Sequence, residues 1–232
     1  LSRRAERVIV ICQRRYIPVH ELGSNGFSDE ITVSGVQDLT VLGIFGIIDP
    51  PRPETASTVA ACRRAGIRFF MVTGDFGLTA AAIARDIGIF DGTAEPDTIE
   101  DLRDFSNESK ASHSRHSLLL EGTSLSSLTQ DEWATVCNYD EIVFARTSPE
   151  QKLRIVSEFQ AKGNYVAVTG DGVNDAPALR AANVGVAIGG GSDVAIEAAD
   201  LVLLDRFDSI VEAIRLGRLV FQNLQKVIAY LL

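Results

Sequence analysis

Three short polar stretches carry the residue types that handling a phosphoryl group requires, and each follows an apolar run. The densest is TGDGVNDAPAL at 169–179, where Gly170 and Gly172 let the chain turn sharply and Asp171, Asn174 and Asp175 gather oxygen donors. Two carboxylates and an amide at a strand's carboxyl end suit a hard cation such as Mg²⁺, which keeps several of its waters. The second stretch is Thr73-Gly74-Asp75, which closes MVTGD and offers a hydroxyl and a backbone N–H to phosphoryl oxygens as their charge redistributes. The third is FARTSPEQK at 144–152, which sets Arg146 and Lys152 where a strand gives way to a helix. There Lys152 can neutralise a phosphate as a point charge, and Arg146 can grip it with a planar fork. Taken singly, each stretch has an ordinary reading: a helix cap, an Asx-type turn, a solvated lysine. Their succession at three strand ends argues for phosphoryl transfer, a reaction run mainly by positioning and charge stabilisation.

The elements that must hold these stretches follow from hydrophobic periodicity. Apolar runs at 41–48, 67–72, 142–145, 165–169, 184–188 and 201–204 read as strands. Between them, 54–65, 78–87, 149–161 and 193–199 read as helices, the first with Pro53 in its opening turn and Gly66 just past its end. Such alternation predicts an α/β fold, a parallel sheet covered by helices on both faces. Residues 1–41 differ: Arg3, Arg4, Arg7, Arg14 and Arg15, then a Gly-, Ser- and Asn-rich loop, with strands expected at 7–12 and 31–33 and too few residues for a core of their own. Residues 91–117 break the alternation and read as an exposed, mobile excursion, in which His113 and His116 are solvated loop residues, not metal ligands. A single amphipathic helix over 209–232 is expected to leave the domain.

Composition narrows the partners. With 46% hydrophobic residues among 232, the chain can build a sizeable core. A net charge of −9 and the lack of any basic stripe exclude a nucleic-acid surface. Cys12, Cys62 and Cys137 are far apart with no CxxC pair, which fits reduced, buried thiols. The apolar end at 227–232 is too short for a bilayer, which takes roughly 20 helical residues. Together with Leu1 in place of Met, this makes a piece of a longer protein the expectation, with a membrane span following.

In their order, the three stretches resemble the second, third and fourth motifs of the haloacid dehalogenase superfamily. With Asp49-Pro50-Pro51-Arg52 added, they resemble the cation-pumping P-type ATPases, nearest the Na,K-ATPase and H,K-ATPase α subunits, over residues 42–217. ERVIVIC at 6–12 is similar to the last part of that family's nucleotide-binding domain, and the helix from about 218 to its stalk. The resemblance implies a remnant of the nucleotide-binding domain and a hinge in 1–41. It implies a haloacid dehalogenase-like (Rossmann-like) phosphorylation domain in 42–217 and a stalk in 218–232 that leads to a transmembrane helix. It further implies that Thr73, Gly74 and Lys152 contact the transferred phosphoryl group, that Asp171 ligates Mg²⁺ with Asp175 close by, and that Asn174 touches phosphate oxygens. Asp75, Arg146 and Arg7 would face the nucleotide. The implied substrate is ATP and the cofactor Mg²⁺. The implied parent is a multi-pass membrane pump for monovalent cations with this segment on the cytoplasmic side; an accessory subunit is left open.

The match also has gaps. The family's Asp-Lys-Thr-Gly-Thr run, whose Asp becomes the aspartyl phosphate, does not occur in these residues. In family order it lies upstream, so this segment by itself is expected neither to hydrolyse ATP nor to pump. Phe76 follows TGD where the family usually has a polar residue, 189–192 is a residue shorter than in the animal sodium pump, and 91–117 differs in length. Two other readings compete. A soluble phosphatase of the same superfamily would need an Asp-x-Asp motif near its amino end, which is not found. A non-catalytic nucleotide-binding or regulatory module would need no nucleophile at all.

Overall fold

The computed structural model describes residues 6–92, 94–107, 117–204 and 206–232; His113 and His116 lie outside them. It divides into two compact units, Leu1–Asp49 and Pro50–Leu232.

In the first unit, β1 (Glu6–Gln13) pairs antiparallel with β2 (Thr40–Ile48), Glu6 opposite Ile48 and Gln13 opposite Thr40. The run expected to open the parallel series thus forms a ribbon with β1. Both runs are rich in β-branched residues and similar in length, and an antiparallel pair needs only a returning loop, whereas a parallel one needs a crossover. Within that loop, α1 (Asn25–Glu30) is capped by Ser24, whose side chain accepts from the Phe27 N–H. The strand expected at 31–33 is not formed: the helix runs on into a wider turn, Ile31–Gly35. Thr32 Oγ1 donates to the Ser28 carbonyl at 2.8 Å and Arg14 donates to the Ser34 and Gln37 carbonyls, so side chains satisfy these carbonyls of the turn.

Glu30 closes this loop. Its carboxylate accepts from the Tyr16 hydroxyl, from the Val19 and His20 N–H groups at 2.9 and 3.1 Å, and pairs with His20 Nδ1 at 2.8 Å. The Tyr16 hydroxyl first, then the Val19 N–H and the His20 ring, hold its pKa down to about 2 from the usual 4.5. A carboxylate whose folded pKa is depressed stabilises fully above the unfolded value, and the contribution is lost as pH falls through the folded one. The clamp should therefore persist below pH 4.5 and release near pH 2. Titration of the Glu30 carboxyl carbon by NMR checks this; a midpoint at the ordinary value would refute it.

The second unit holds two parallel three-stranded sheets, β3-β5-β4 and β6-β7-β8. They comprise β3 (Met71–Val72), β4 (Ser117–Glu121), β5 (Glu141–Ala145), β6 (Ala167–Gly170), β7 (Val184–Ile188) and β8 (Leu201–Leu203). All five residues of β5 are buried. Ile142 and Phe144 join a cluster with Leu118, Leu120, Trp133 and Phe159. Val143 and Ala145 join another with Val59 of α2 (Thr55–Arg64) and Ala80 and Ala84 of α3 (Gly77–Asp86). This two-faced burial is what a continuous apolar run in a parallel sheet requires.

The strand expected at 67–72 shrinks to Met71–Val72 because pairing with β5 starts only at Met71 opposite Val143. Likewise β6 begins at Ala167, opposite Val184. Among the described residues, β3 and β6 each have one edge without a ladder partner.

The excursion expected over 91–117 is in good part structured. Asp97 bridges to Leu118, and α4 (Ile99–Asn107) buries Leu102. Further on come α5 (Gly122–Leu125) and α6 (Gln130–Val136), the latter with a capping box between Thr129 and Glu132 and with Trp133 fully buried. Cys62 and Cys137 are buried free thiols, and burial raises the pKa of each.

Two side-chain networks tie the unit together. Glu141, fully buried, accepts from Arg63 Nη2 and Ser117 Oγ at 2.6 Å each and from the Asp91 N–H. Arg68 donates to the Cys137 and Tyr139 carbonyls at 2.6 and 3.1 Å and to Asn164 Oδ1 at 2.7 Å. The last helices and their neighbours are α7 (Pro149–Ala161), α8 (Ala176–Ala181), α9 (Asp193–Ala198) and α10 (Ser209–Leu231). Ile210 at the start of α10 is buried with Leu203, whereas Val220, Phe221, Leu224 and Ile228 are exposed. No helix among the described residues is long and apolar enough to cross a membrane.

Candidate active site

A cleft of about 860 Å³ runs between the segments leading into β3 and β6, lined by residues 66–74 on one wall and 164–171 on the other. Thr73, Gly74, Lys152, Asp171 and Asp175 all line it. These come from three segments far apart in sequence, each following the carboxyl end of a parallel strand.

Thr73 is fixed by its backbone. Its N–H donates to the Phe144 carbonyl at 2.8 Å, and its own carbonyl accepts from both the N–H and the hydroxyl of Thr147 at 3.1 Å. Its hydroxyl donates to Asp75 Oδ2 at 3.2 Å and accepts from the Asp75 N–H at 3.1 Å. The TGD turn is thus closed on itself and tied to FARTSPEQK by backbone.

Lys152 stands in the first turn of α7. Ser148 caps that helix, accepting from the Gln151 N–H at 3.3 Å while Gln151 Oε1 accepts from the Ser148 N–H at 2.9 Å, and Pro149 occupies its start. A cation at a helix N-terminus opposes the macrodipole, so this placement costs stability unless an anion meets it. The anion is Asp175, whose Oδ1 lies 2.6 Å from Lys152 Nζ, with both side chains more than four-fifths covered.

Asp175 owes its position to the turn before it. Its Oδ2 accepts from the Gly172 N–H at 3.1 Å, and its N–H donates to the Gly172 carbonyl at 3.0 Å. A Cβ on Gly170 would come within 2.5 Å of Asp175 Cβ, so only glycine lets the chain close here. Both Asp175 oxygens therefore have donors, while Asp171 presents an exposed carboxylate to the cleft. No group of three or more His, Cys, Asp or Glu residues gathers as a metal centre among the described residues. One carboxylate with a second nearby is nonetheless the protein share that Mg²⁺ commonly takes when phosphate oxygens and water complete its shell.

Asp75, Arg146 and Asn174 do not line the cleft. Asn174 is exposed in the short 3₁₀ turn Val173–Asp175. Arg146 ends β5 with φ at 51°, a left-handed conformation that costs a non-glycine residue roughly 1–2 kcal/mol. Its N–H donates to the Asp75 carbonyl at 2.9 Å, and its own carbonyl crowds Gly122, where a Cβ would come within 2.3 Å. Arg7 belongs to the other compact unit, exposed on β1. The residues to which the sequence assigned no role are supports: Thr147, Gln151, whose amide donates to the Gly122 carbonyl at 2.6 Å, and Phe76 beneath Arg146, noted only as a departure from the family pattern. The Ser-Pro-Glu-Gln spacing was the available sign of the helix cap.

A cation, a hydroxyl, a free backbone N–H and an exposed carboxylate around one cleft can hold a phosphoryl group and balance its charge. The profile of the haloacid dehalogenase-like hydrolases matches residues 9–183. The Potassium-transporting ATPase alpha chain 2 of Cavia porcellus is 45% identical over 98% of this chain and 22% of its own length. For the Sodium/potassium-transporting ATPase subunit alpha of Hydra vulgaris, the figures are 44%, 98% and 23%. For the subunit alpha-A of Artemia franciscana they are 46%, 85% and 20%. The chain spans about a fifth of the length of these relatives. With its parallel sheets, its strand-end site and a matched region covering most of its length, the chain belongs to the haloacid dehalogenase-like hydrolases.

Proposed function

We propose that this chain is part of an ATP-driven cation pump and houses most of the site where an aspartyl phosphate is made and broken. The observation that carries the reading is the convergence of Thr73, Gly74, Lys152 and Asp171 on one cleft, joined by similarity over nearly all of this chain to about a fifth of the length of transporting ATPases. Residues 42–217 would act as the phosphorylation domain, 1–41 as the end of a nucleotide-binding domain and hinge, and 218–232 as a stalk toward the membrane, on the cytoplasmic side. ATP and the transported monovalent cations would be its ligands in the whole protein.

Thr73 and the Gly74 N–H would hold equatorial oxygens of the transferred group, and Lys152 would meet its growing charge. Asp175 orients Lys152 until the substrate competes for the ammonium. Asp171, with Asp175 alongside, would hold Mg²⁺, which when bound supplies further charge neutralisation. Asn174 would contact phosphate oxygens, and Asp75, Arg146 and Arg7 the nucleotide.

The nucleophile would enter on a further strand. The Asp-Lys-Thr-Gly-Thr run does not occur among the 232 residues, and the cleft is walled on both sides by strand segments whose outer edges carry no ladder among the described residues. A strand carrying that run would fill the cleft and bring its Asp to the end where Lys152 waits. The test is labelling with γ-labelled ATP and Mg²⁺. The 232-residue chain should take up no hydroxylamine-sensitive label, while the full-length gene product should take it up and fail to do so when Mg²⁺ is chelated. Label on the short chain would sink this reading.

A further inference from the structure

Phe76 is 62% exposed, an unusual place for a phenyl ring next to a site built from polar groups. The guanidinium carbon of Arg146 lies 4.5 Å from its ring centroid, within the range of a cation–π stack. Neither partner arrives there by accident of a loose backbone. Arg146 is held in its left-handed conformation by the Asp75 carbonyl on one side and Gly122 on the other, and Thr147 is bonded twice to Thr73. The backbone of FARTSPEQK therefore launches the Arg146 side chain across the residue that follows TGD.

We infer that Phe76 is a positioning residue for Arg146. Its ring holds the guanidinium flat, so that the in-plane N–H groups are presented to ribose or phosphate oxygens before a nucleotide arrives. A stacked guanidinium gives up one face and keeps its edge donors, which are the groups that bind oxygens. An exposed arginine without such a support samples many rotamers and must be ordered on binding, and holding it beforehand reduces that cost. The aromatic residue thus does at this position what a polar residue could do only by hydrogen bonding. The inference rests on the proposed role of Arg146 toward the nucleotide and adds to it the residue that orients it.

The experiment measures the ATP affinity of the full-length protein by calorimetry and follows the Arg146 Nε–H resonance of the 232-residue chain by NMR. Phe76→Ala should weaken ATP binding about two- to fivefold, the span expected of an exposed cation–π contact, and Arg146→Ala should weaken it at least as much. The double variant should be no weaker than Arg146→Ala alone. Phe76→Tyr should bind as wild type, whereas Phe76→Leu, which keeps bulk without a π face, should match Phe76→Ala. The Nε–H resonance should be shifted upfield by the ring in wild type and Phe76→Tyr, and lose that shift in Phe76→Ala and Phe76→Leu. If Arg146→Ala weakens binding and Phe76→Ala does not, the positioning role is overturned and the nucleotide role of Arg146 stands. If neither weakens it, both fall. A wild-type resonance without ring shift overturns the stack directly.

Discussion

Lys152→Ala in the full-length protein is expected to slow phosphorylation by ATP about a hundredfold or more, while nucleotide affinity changes little. The ammonium lies in the cleft against Asp175 and would act where charge gathers during transfer, so its removal raises the barrier rather than weakening the ground-state complex. Loss of one preorganised charge of this kind costs about 3 kcal/mol of barrier. Lys152→Arg should restore only part, because a planar fork cannot replace a compact ammonium held end-on by one carboxylate oxygen. Asp175→Asn gives a second handle: it leaves Lys152 in place but removes its orienting charge and the second carboxylate beside Asp171, so phosphorylation should slow and require more Mg²⁺. Rates of aspartyl-phosphate formation measured beside ATP affinity decide it. A Lys152→Ala protein that phosphorylates at the wild-type rate would mean a merely solvated lysine.

Arg63→Ala should weaken the fold although it lies far from the cleft's polar end. Glu141 is fully buried, and Arg63 Nη2 lies 2.6 Å from its carboxylate. Removing Arg63 takes a charged partner from a buried carboxylate that keeps its other donors, with a cost of about 2 kcal/mol. Removing both charges should be milder: Arg63→Ala with Glu141→Gln is expected to recover a good part of the loss, since the Ser117 hydroxyl can still bond the amide. Urea unfolding of the wild type, both single variants and the double gives the coupling. If Arg63→Ala shifts stability by no more than a few tenths of a kcal/mol, the pair is not what holds α2 to β5.

The site was legible because its chemistry is written in contiguous residues. TGD, FARTSPEQK and TGDGVND each put their polar groups directly after an apolar run, and parallel strands bring such ends to one edge whatever the loops between them do. Helix α7 was readable to its bounds, since Ser148, Pro149 and Gln151 mark its start chemically. Where partners decide, the sequence was less informative. Residues 40–48 are as apolar as any strand of a parallel sheet, and nothing within them says that β1 will pair with them. Residues 67–70 have strand composition but no ladder to join. The acid-rich segment after Asp91 looked solvated, yet Leu102 and Asp97 give it two anchors that periodicity over so short a window does not reveal. Phe76 looked like a departure from a pattern, and its meaning depends on a side chain seventy positions away.

The gap between β3 and β6 also has a mechanical meaning. The second unit resembles a book of two stiff leaves whose spine lacks stitching, bolted by side chains near both ends of the seam. Two of these bolts are Arg68 to Asn164 and Lys152 to Asp175. The first involves no group that a phosphate would claim, whereas the second uses the very ammonium that a phosphoryl group would draw away. Loading the site would therefore draw on the fastening at Lys152, while Arg68 and the Gln160 amide, which donates to the Ala181 carbonyl at 2.9 Å, keep their partners.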